Sequence, residues 1–200
     1  LPEYTQKMPI LSFFLKRIHY IYVETKSMQH ALECQHFSNV CLMPNCKPLS
    51  ILSKEDLPVH TPPYKLCTFS RVIREKGIEE AIEAVKRCNE RMGDLMFTLD
   101  IYGQIEQQEW FDSVMQNQPS FIAYRGVISA TESTDALKDY FALLFPTFYK
   151  GEGFAGTLID AMAAGLPVFA SDWRSNAEIV EEGKTGFLFP VHAVDALEKI

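Results

Sequence analysis

Short apolar runs alternate with helical periodicities along most of the chain. Residues 20–23 (Tyr-Ile-Tyr-Val) predict a strand, 27–34 a helix and 39–43 (Asn-Val-Cys-Leu-Met) a second strand. Pro44, Pro48, Pro58, Pro62 and Pro63 then interrupt the pattern, and no long periodic element survives that density. The pattern resumes with a strand at 66–69. A helix at 77–92 follows, with Ile78, Ala81, Ile82, Val85 and Cys88 on one face. A strand at 95–102, a helix at 107–116 with Trp110, Phe111 and Val114 on one side, and a strand at 121–124 come next. The spacing then predicts a helix end at 136–140, strands at 142–145, 167–170 and 186–189, and helices at 157–164, 176–181 and 192–200. Strands alternating with helices read as βαβ units around a parallel sheet, an α/β Rossmann-like fold. The proline-rich stretch divides the chain into residues 1–47, the tail of a preceding domain, a linker at 48–63, and a main domain at 64–200.

Composition narrows the function. The chain has 200 residues, 47% hydrophobic and 22% charged, enough for a packed core. A net charge of −7 disfavours nonspecific contact with nucleic acid or anionic lipid, so no nucleic-acid partner is expected. Any anionic ligand must then be held by a few placed cations and backbone amides. Cys34, Cys41, Cys46, Cys67 and Cys88 are odd in number and match no common zinc spacing. They read as reduced thiols of a cytoplasmic protein, with no metal site. No signal peptide is visible, and the apolar stretches 141–145 and 165–170 are too short to span a bilayer. The chain starts with Leu and stops inside an apparent helix, so a piece of a longer protein is expected.

Ligands of open parallel sheets bind beyond the carboxyl ends of the strands, which directs attention to the loops at 70–77, 103–106, 125–130 and 146–157. The first carries Arg71 and Lys76 and opens a helix, whose free N–H groups attract anions. Cations in such a loop are equally often solvated surface. The last reads Lys-Gly-Glu-Gly-Phe-Ala-Gly-Thr over 150–157 and leads directly into a helix. Its glycines allow a backbone to approach a phosphate closely, and Thr157 can cap the helix or bond an oxyanion. It is neither a Walker loop nor a dinucleotide Gly-x-Gly-x-x-Gly turn; a plain glycine-rich turn remains the alternative. Glu152 and Asp160, eight positions apart, bracket this element. Both can face one ligand at the helix start, or Asp160 can be a solvated helix residue.

These residues in this order resemble the signature of retaining glycosyltransferases of the two-Rossmann-domain GT-B fold (group 1, family 4-like). The family pattern runs from a Pro-Ser/Thr segment through Glu-Gly-Phe-Gly and a second acid to Ala-Met-Ala-x-Gly-x-Pro. Here it reads Pro146-Thr147, Glu152-Gly153-Phe154-Ala155 and Asp160-Ala161-Met162-Ala163-Ala164-Gly165-Leu166-Pro167. Ser70-Arg71 through Glu75-Lys76-Gly77, Arg125-Gly126-Val127, Glu178-Ile179-Val180, Gly183-Lys184-Thr185-Gly186 and Pro44-Asn45 resemble its flanking motifs. Asp160 stands where the family has Glu, and Ser70 and Ala155 stand where it has Gly.

The resemblance implies that residues 64–200 form the nucleotide-sugar-binding C-terminal half of such an enzyme. It gives Arg71 and Lys76 to the donor diphosphate, with backbone amides of Phe154, Ala155, Gly156, Thr157 and Leu158. It gives Glu152 to the reacting sugar's hydroxyls, Asp160 to the ribose, and Gly126 and Val127 to the base. The implied reaction moves a hexose from a UDP- or GDP-linked donor to an acceptor hydroxyl with retention, in surface polysaccharide assembly. No metal or other cofactor is implied, because cations and helix amides stabilise the leaving diphosphate. The saccharide or lipid-linked acceptor would be bound mainly by an N-terminal domain. The implied location is the cytoplasm, with peripheral association at the inner membrane face, and this chain alone should not complete transfer. The alternative is a non-catalytic nucleotide-binding or scaffold module of the same fold.

Overall fold

A computed structural model describes residues 1–46, 52–129 and 131–200. Residue 47 of the expected tail, residues 48–51 of the expected linker and the last residue of the 125–130 loop lie outside the described residues.

Two short helices open the chain, α1 (Pro2–Lys7) and α2 (Pro9–Leu15). Each begins on a proline, whose fixed φ and missing N–H suit a first helical turn. The first βαβ unit follows: β1 (Ile21–Val23), α3 (Lys26–Glu33) and β2 (Val40–Leu42). The Thr25 side chain caps α3 by accepting the Met28 N–H. β1 and β2 form a two-stranded parallel sheet that packs Ile21, Val23, Leu32 and Phe37 into a small core.

The larger sheet is built from β3 (Tyr64–Phe69), α4 (Ile78–Met92), β4 (Phe97–Tyr102), α5 (Gln108–Met115), β5 (Ile122–Gly126), α6 (Ser133–Leu137), β6 (Ala142–Phe145), α7 (Gly156–Ala163), β7 (Val168–Ser171), β8 (Gly186–Phe189) and α8 (Val194–Leu197). Its six strands are all parallel, in the order β5-β4-β3-β6-β7-β8. The chain winds outward from β3 in one direction and then returns to its other side with β6.

α4 shows why the pattern was readable. Ile78, Ala81, Ile82 and Val85 are buried against the sheet with Leu66, Leu99 and Ile101. Burying each Ile or Val side chain contributes about 1.5–3 kcal/mol. Gly93, at φ 68, stops the helix by turning its N–H back onto the Asn89 and Glu90 carbonyls. The opposite sheet face packs Leu143, Phe145, Leu158, Ala161, Val168 and Ala170 under α7.

Two expected helices are shorter than their patterns. The 192–200 helix is reduced to Val194–Leu197, because His192 sits at φ 60, outside helical geometry. The 176–181 helix is a single 3₁₀ turn, Asn176–Glu178, since the chain must turn at Gly183 to enter β8.

All five cysteines are free thiols. Burial, and then the nearby Asp100 charge, pushes the Cys67 thiol well above its ordinary range. No helix among the described residues is long and apolar enough to cross a membrane.

Candidate active site at the sheet reversal

Where the winding direction reverses, the loops after β3 and β6 meet at the carboxyl ends of the strands, the position at which ligands of open α/β sheets bind. Lys76 comes from the loop after β3, and Thr147, Tyr149 and Glu152 from the loop after β6. The Lys76 Nζ lies 2.6 Å from the Glu152 Oε2, with both side chains only 8% exposed. Thr147 Oγ1 donates to the same oxygen at 2.8 Å, and it receives the Tyr149 N–H at 3.2 Å. The Lys76 ammonium also lies 5.2 Å from the centre of the Phe145 ring and 5.4 Å from that of Tyr149. Such a buried ion pair is retained only where hydrogen bonds satisfy the charges, as Thr147 does here.

Gly77 makes this approach of the two loops possible. It holds φ +74, and a Cβ there would lie 2.1 Å from the Pro146 carbonyl oxygen. The Phe148 N–H, 2.8 Å from the Glu75 carbonyl, fastens the loops a second time.

Arg71 lies at the mouth. Its guanidinium pairs with Glu106 at 3.1 Å, and both side chains are well exposed. It also lies 4.9 Å from the centre of the Tyr149 ring. Hydrogen bonding to Tyr149 and then to Glu106 outweighs burial and holds its proton more firmly than usual. Tyr149 thus touches both cations, and the Trp173 indole N–H holds the Tyr149 carbonyl at 2.8 Å. Neither Tyr149 nor Thr147 nor Trp173 stood out as a functional residue in the sequence; Thr147 had been noted only as part of the Pro146-Thr147 segment.

α7 begins beside this pair. The first N–H groups of a helix have no partner within it. Two of the five candidate amides are nonetheless engaged. Phe154 N–H is bonded to Glu24 Oε2 at 3.2 Å, and Leu158 N–H to the Ala155 carbonyl at 3.1 Å. An anion at this end would therefore meet chiefly Ala155, Gly156 and Thr157. The Thr157 hydroxyl is not a cap: it donates to the Phe69 carbonyl at 2.8 Å and ties α7 to the end of β3. The N-cap is Ala155, with no side-chain bond.

Asp160 is not a solvated helix residue. It is 4% exposed, and its Oδ1 accepts the Ser133 hydroxyl of α6 at 2.8 Å. Glu152 is thus held by Lys76 of the β3 loop and Thr147 of its own loop, whereas Asp160 is bonded to Ser133 of α6. Gly126 ends β5 at φ +89 beside an irregularity in the ladder, and Val127 after it is 65% exposed. Below them Asp100 binds Arg125 and Tyr140, each at 2.8 Å. Burial, then Tyr102 and Asp100, drives the Tyr140 hydroxyl far above its normal range, so it stays a neutral donor.

A cleft of about 770 Å³ opens from Glu152, Lys150 and Tyr149 toward α1 and α3, lined also by Glu3, Gln35 and Arg174. An apolar cavity of about 250 Å³ lies at the other ends of the strands, against Phe97 and Phe141, away from these charges.

Two cations, Lys76 and Arg71, each paired with a carboxylate, and the start of α7 thus lie together at the sheet reversal of an α/β domain. The chain belongs to the glycosyl transferases group 1 family, whose model matches residues 63–200. It is 26% identical over 181 residues to the GtfA subunit of a UDP-N-acetylglucosamine–peptide N-acetylglucosaminyltransferase from Streptococcus gordonii, covering 88% of this chain and 34% of the relative. It is 28% identical over 143 residues to the amylovoran biosynthesis glycosyltransferase AmsK of Erwinia amylovora, covering 69% and 35%. The crystal structure of a GtfA/B complex superposes with a TM-score of 0.73 at 25% identity, covering 94% of this chain and 38% of that one. The chain spans about a third of the length of these relatives. The parallel sheet and flanking helices are those of GT-B glycosyltransferases.

Proposed function

We propose that the whole protein transfers a hexose from a nucleoside diphosphate sugar to an acceptor hydroxyl with retention, in surface polysaccharide assembly. The observation that carries this is the buried Lys76–Glu152 pair, set at the sheet reversal beside the start of α7. Arg71 and Lys76 hold the diphosphate, joined by the Ala155, Gly156 and Thr157 amides. Glu152 accepts hydrogen bonds from hydroxyls of the reacting sugar. Asp160 takes the ribose side, and Gly126 and Val127 border the base. During transfer the bond between the anomeric carbon and the phosphate oxygen breaks, and one to the acceptor oxygen forms. The acceptor proton passes to the departing phosphate. Charge developing on that phosphate is met by fixed cations and amides, so transfer needs no metal and withstands chelation.

The favoured donor is a UDP-sugar, as in the name of the streptococcal relative. The polysaccharide acceptor follows the Erwinia relative. The reading divides the chain into an acceptor-domain tail at 1–47, a linker at 48–63 and a donor domain at 64–200. The family match from residue 63 and the start of the large sheet at Tyr64 support it. The protein works in the cytoplasm, at the inner membrane face, and this chain alone binds donor without turnover. Calorimetric titration with UDP, GDP and ADP tests the site. Saturable UDP binding, weakened by Arg71→Ala and Lys76→Ala, is expected. No binding of any nucleotide at millimolar concentration overturns the assignment.

A further inference from the structure

The loop ahead of α7 is held from outside its own sheet. Glu24 follows β1 and immediately precedes Thr25, the N-cap of α3. Its Oε2 accepts the Phe154 N–H at 3.2 Å. Asn45, beyond β2, donates through Nδ2 to the Phe154 carbonyl, also at 3.2 Å. Two side chains attached to the small sheet therefore fix the peptide planes on both sides of the Phe154 Cα.

That has a directional effect. In a trans peptide the N–H points opposite to the C=O. The Phe154 carbonyl is turned toward Asn45, so the Ala155 N–H in the same plane points away from the small sheet. Ala155 then turns the chain at φ −68 and ψ 108, and the Gly156 and Thr157 amides lie beyond it in the first turn of α7.

The seat of Glu24 is built on both sides. A Cβ on Gly153 would lie 2.8 Å from Glu24 Oε2, so a side chain there would push the end of the carboxylate aside. From the other direction, the Glu178 carboxylate accepts the Lys26 and Ser27 N–H groups at 2.7 and 2.9 Å. It pins the start of α3, directly after Glu24, to the large sheet.

We propose that Glu24 and Asn45 are positioning residues of the donor site: they aim the Ala155 amide and fix the peptide from which α7 starts, and so the place where the α7 amides receive the diphosphate. The proposal rests on the donor-site reading above. Neither side chain needs to touch the donor. Glu24 acts as a hydrogen-bond acceptor, and its negative charge beside an anionic ligand is incidental to the role.

The test compares UDP with UMP, which lacks the second phosphate, by calorimetry on the 200-residue chain. Glu24→Ala and Asn45→Ala should each lower UDP affinity about five- to tenfold, the effect of one lost hydrogen bond, and UMP affinity less than about twofold. The UDP-to-UMP ratio therefore falls. Glu24→Gln keeps an acceptor for the Phe154 N–H and should keep the ratio within about twofold of the parent. Gly153→Ala, whose methyl displaces Glu24, should behave like Glu24→Ala. A merely structural role would weaken both nucleotides alike or shift only the unfolding temperature. Equal losses of UDP and UMP, or an unchanged ratio in the alanine variants, overturn the proposal. A parent chain that binds neither nucleotide overturns the donor reading itself, and the proposal with it.

Discussion

Replacing Lys76 by methionine isolates the charge at the centre of the site. The change keeps an unbranched apolar stem of similar reach and removes only the ammonium. Glu152 then remains 8% exposed with its cation gone. Removing one partner of a buried pair costs about 3–5 kcal/mol. Thr147 still donates to the carboxylate at 2.8 Å, which places the expected cost near the lower end, about 3 kcal/mol. Glu152→Gln should cost less, about 1–2 kcal/mol, because the amide can still accept from Thr147 and the ammonium keeps the Phe145 and Tyr149 ring faces. The Lys76→Met/Glu152→Gln double variant should then be less destabilised than the sum of the two, by about 1 kcal/mol or more. Urea unfolding of the four proteins measures this. The same variants separate sign in ligand binding: Lys76→Met should lose UDP affinity, whereas Glu152→Gln, which releases Lys76 from its counter-charge, should gain it while transfer by the full-length enzyme falls. Additive stabilities, or a Lys76→Met cost under about 1 kcal/mol, would refute a buried, coupled pair.

Arg71→Ala should weaken UDP binding several-fold in calorimetry yet change stability by less than about 0.5 kcal/mol, because its pair with Glu106 is solvent-exposed. Gly77→Ala should destabilise by about 2 kcal/mol or more in urea unfolding, from its positive φ and the collision with the Pro146 carbonyl. Glu178 provides a pH signature. Burial tends to raise its pKa, but hydrogen bonds from Ser27 and from the Ser27 and Lys26 amides outweigh this and lower it below 4.5. Its contribution is therefore present above pH 4.5 and lost as pH falls through the depressed folded value. Thermal unfolding of Glu178→Gln across that acid range should show a shallower decline than the parent.

Much of this architecture could be read from the chain because burial and spacing coincide. The apolar face of α4, the all-buried run of β6 and the strand at 186–189 lie where their patterns put them. α1 and α2 escaped notice because they are short and leave Tyr4, Ile10, Phe13 and Phe14 exposed, so no buried stripe marks them. The candidate site was legible as residue types at loop positions: Lys76 and Glu152 were singled out, but not as partners. Glu24, Tyr149 and Ser133 carried no local signal, since each acts through a contact made only when distant segments meet. Thr157 misled for the same reason: its hydroxyl has a tertiary partner in Phe69 that outcompetes the local cap.

The reversal of strand order has a consequence for how the molecule forms. Lys76 and Glu152 are 76 positions apart, and they meet only after β6 has returned to lie against β3. Contacts of such separation close late, after the loop-closure entropy has been met. A chain that has assembled β3, β4 and β5 alone already carries Lys76 at a strand end, but without its counter-charge. The ion pair is therefore a marker of assembly: a probe that reads the environment of Tyr149 would report when the two windings of the sheet have joined.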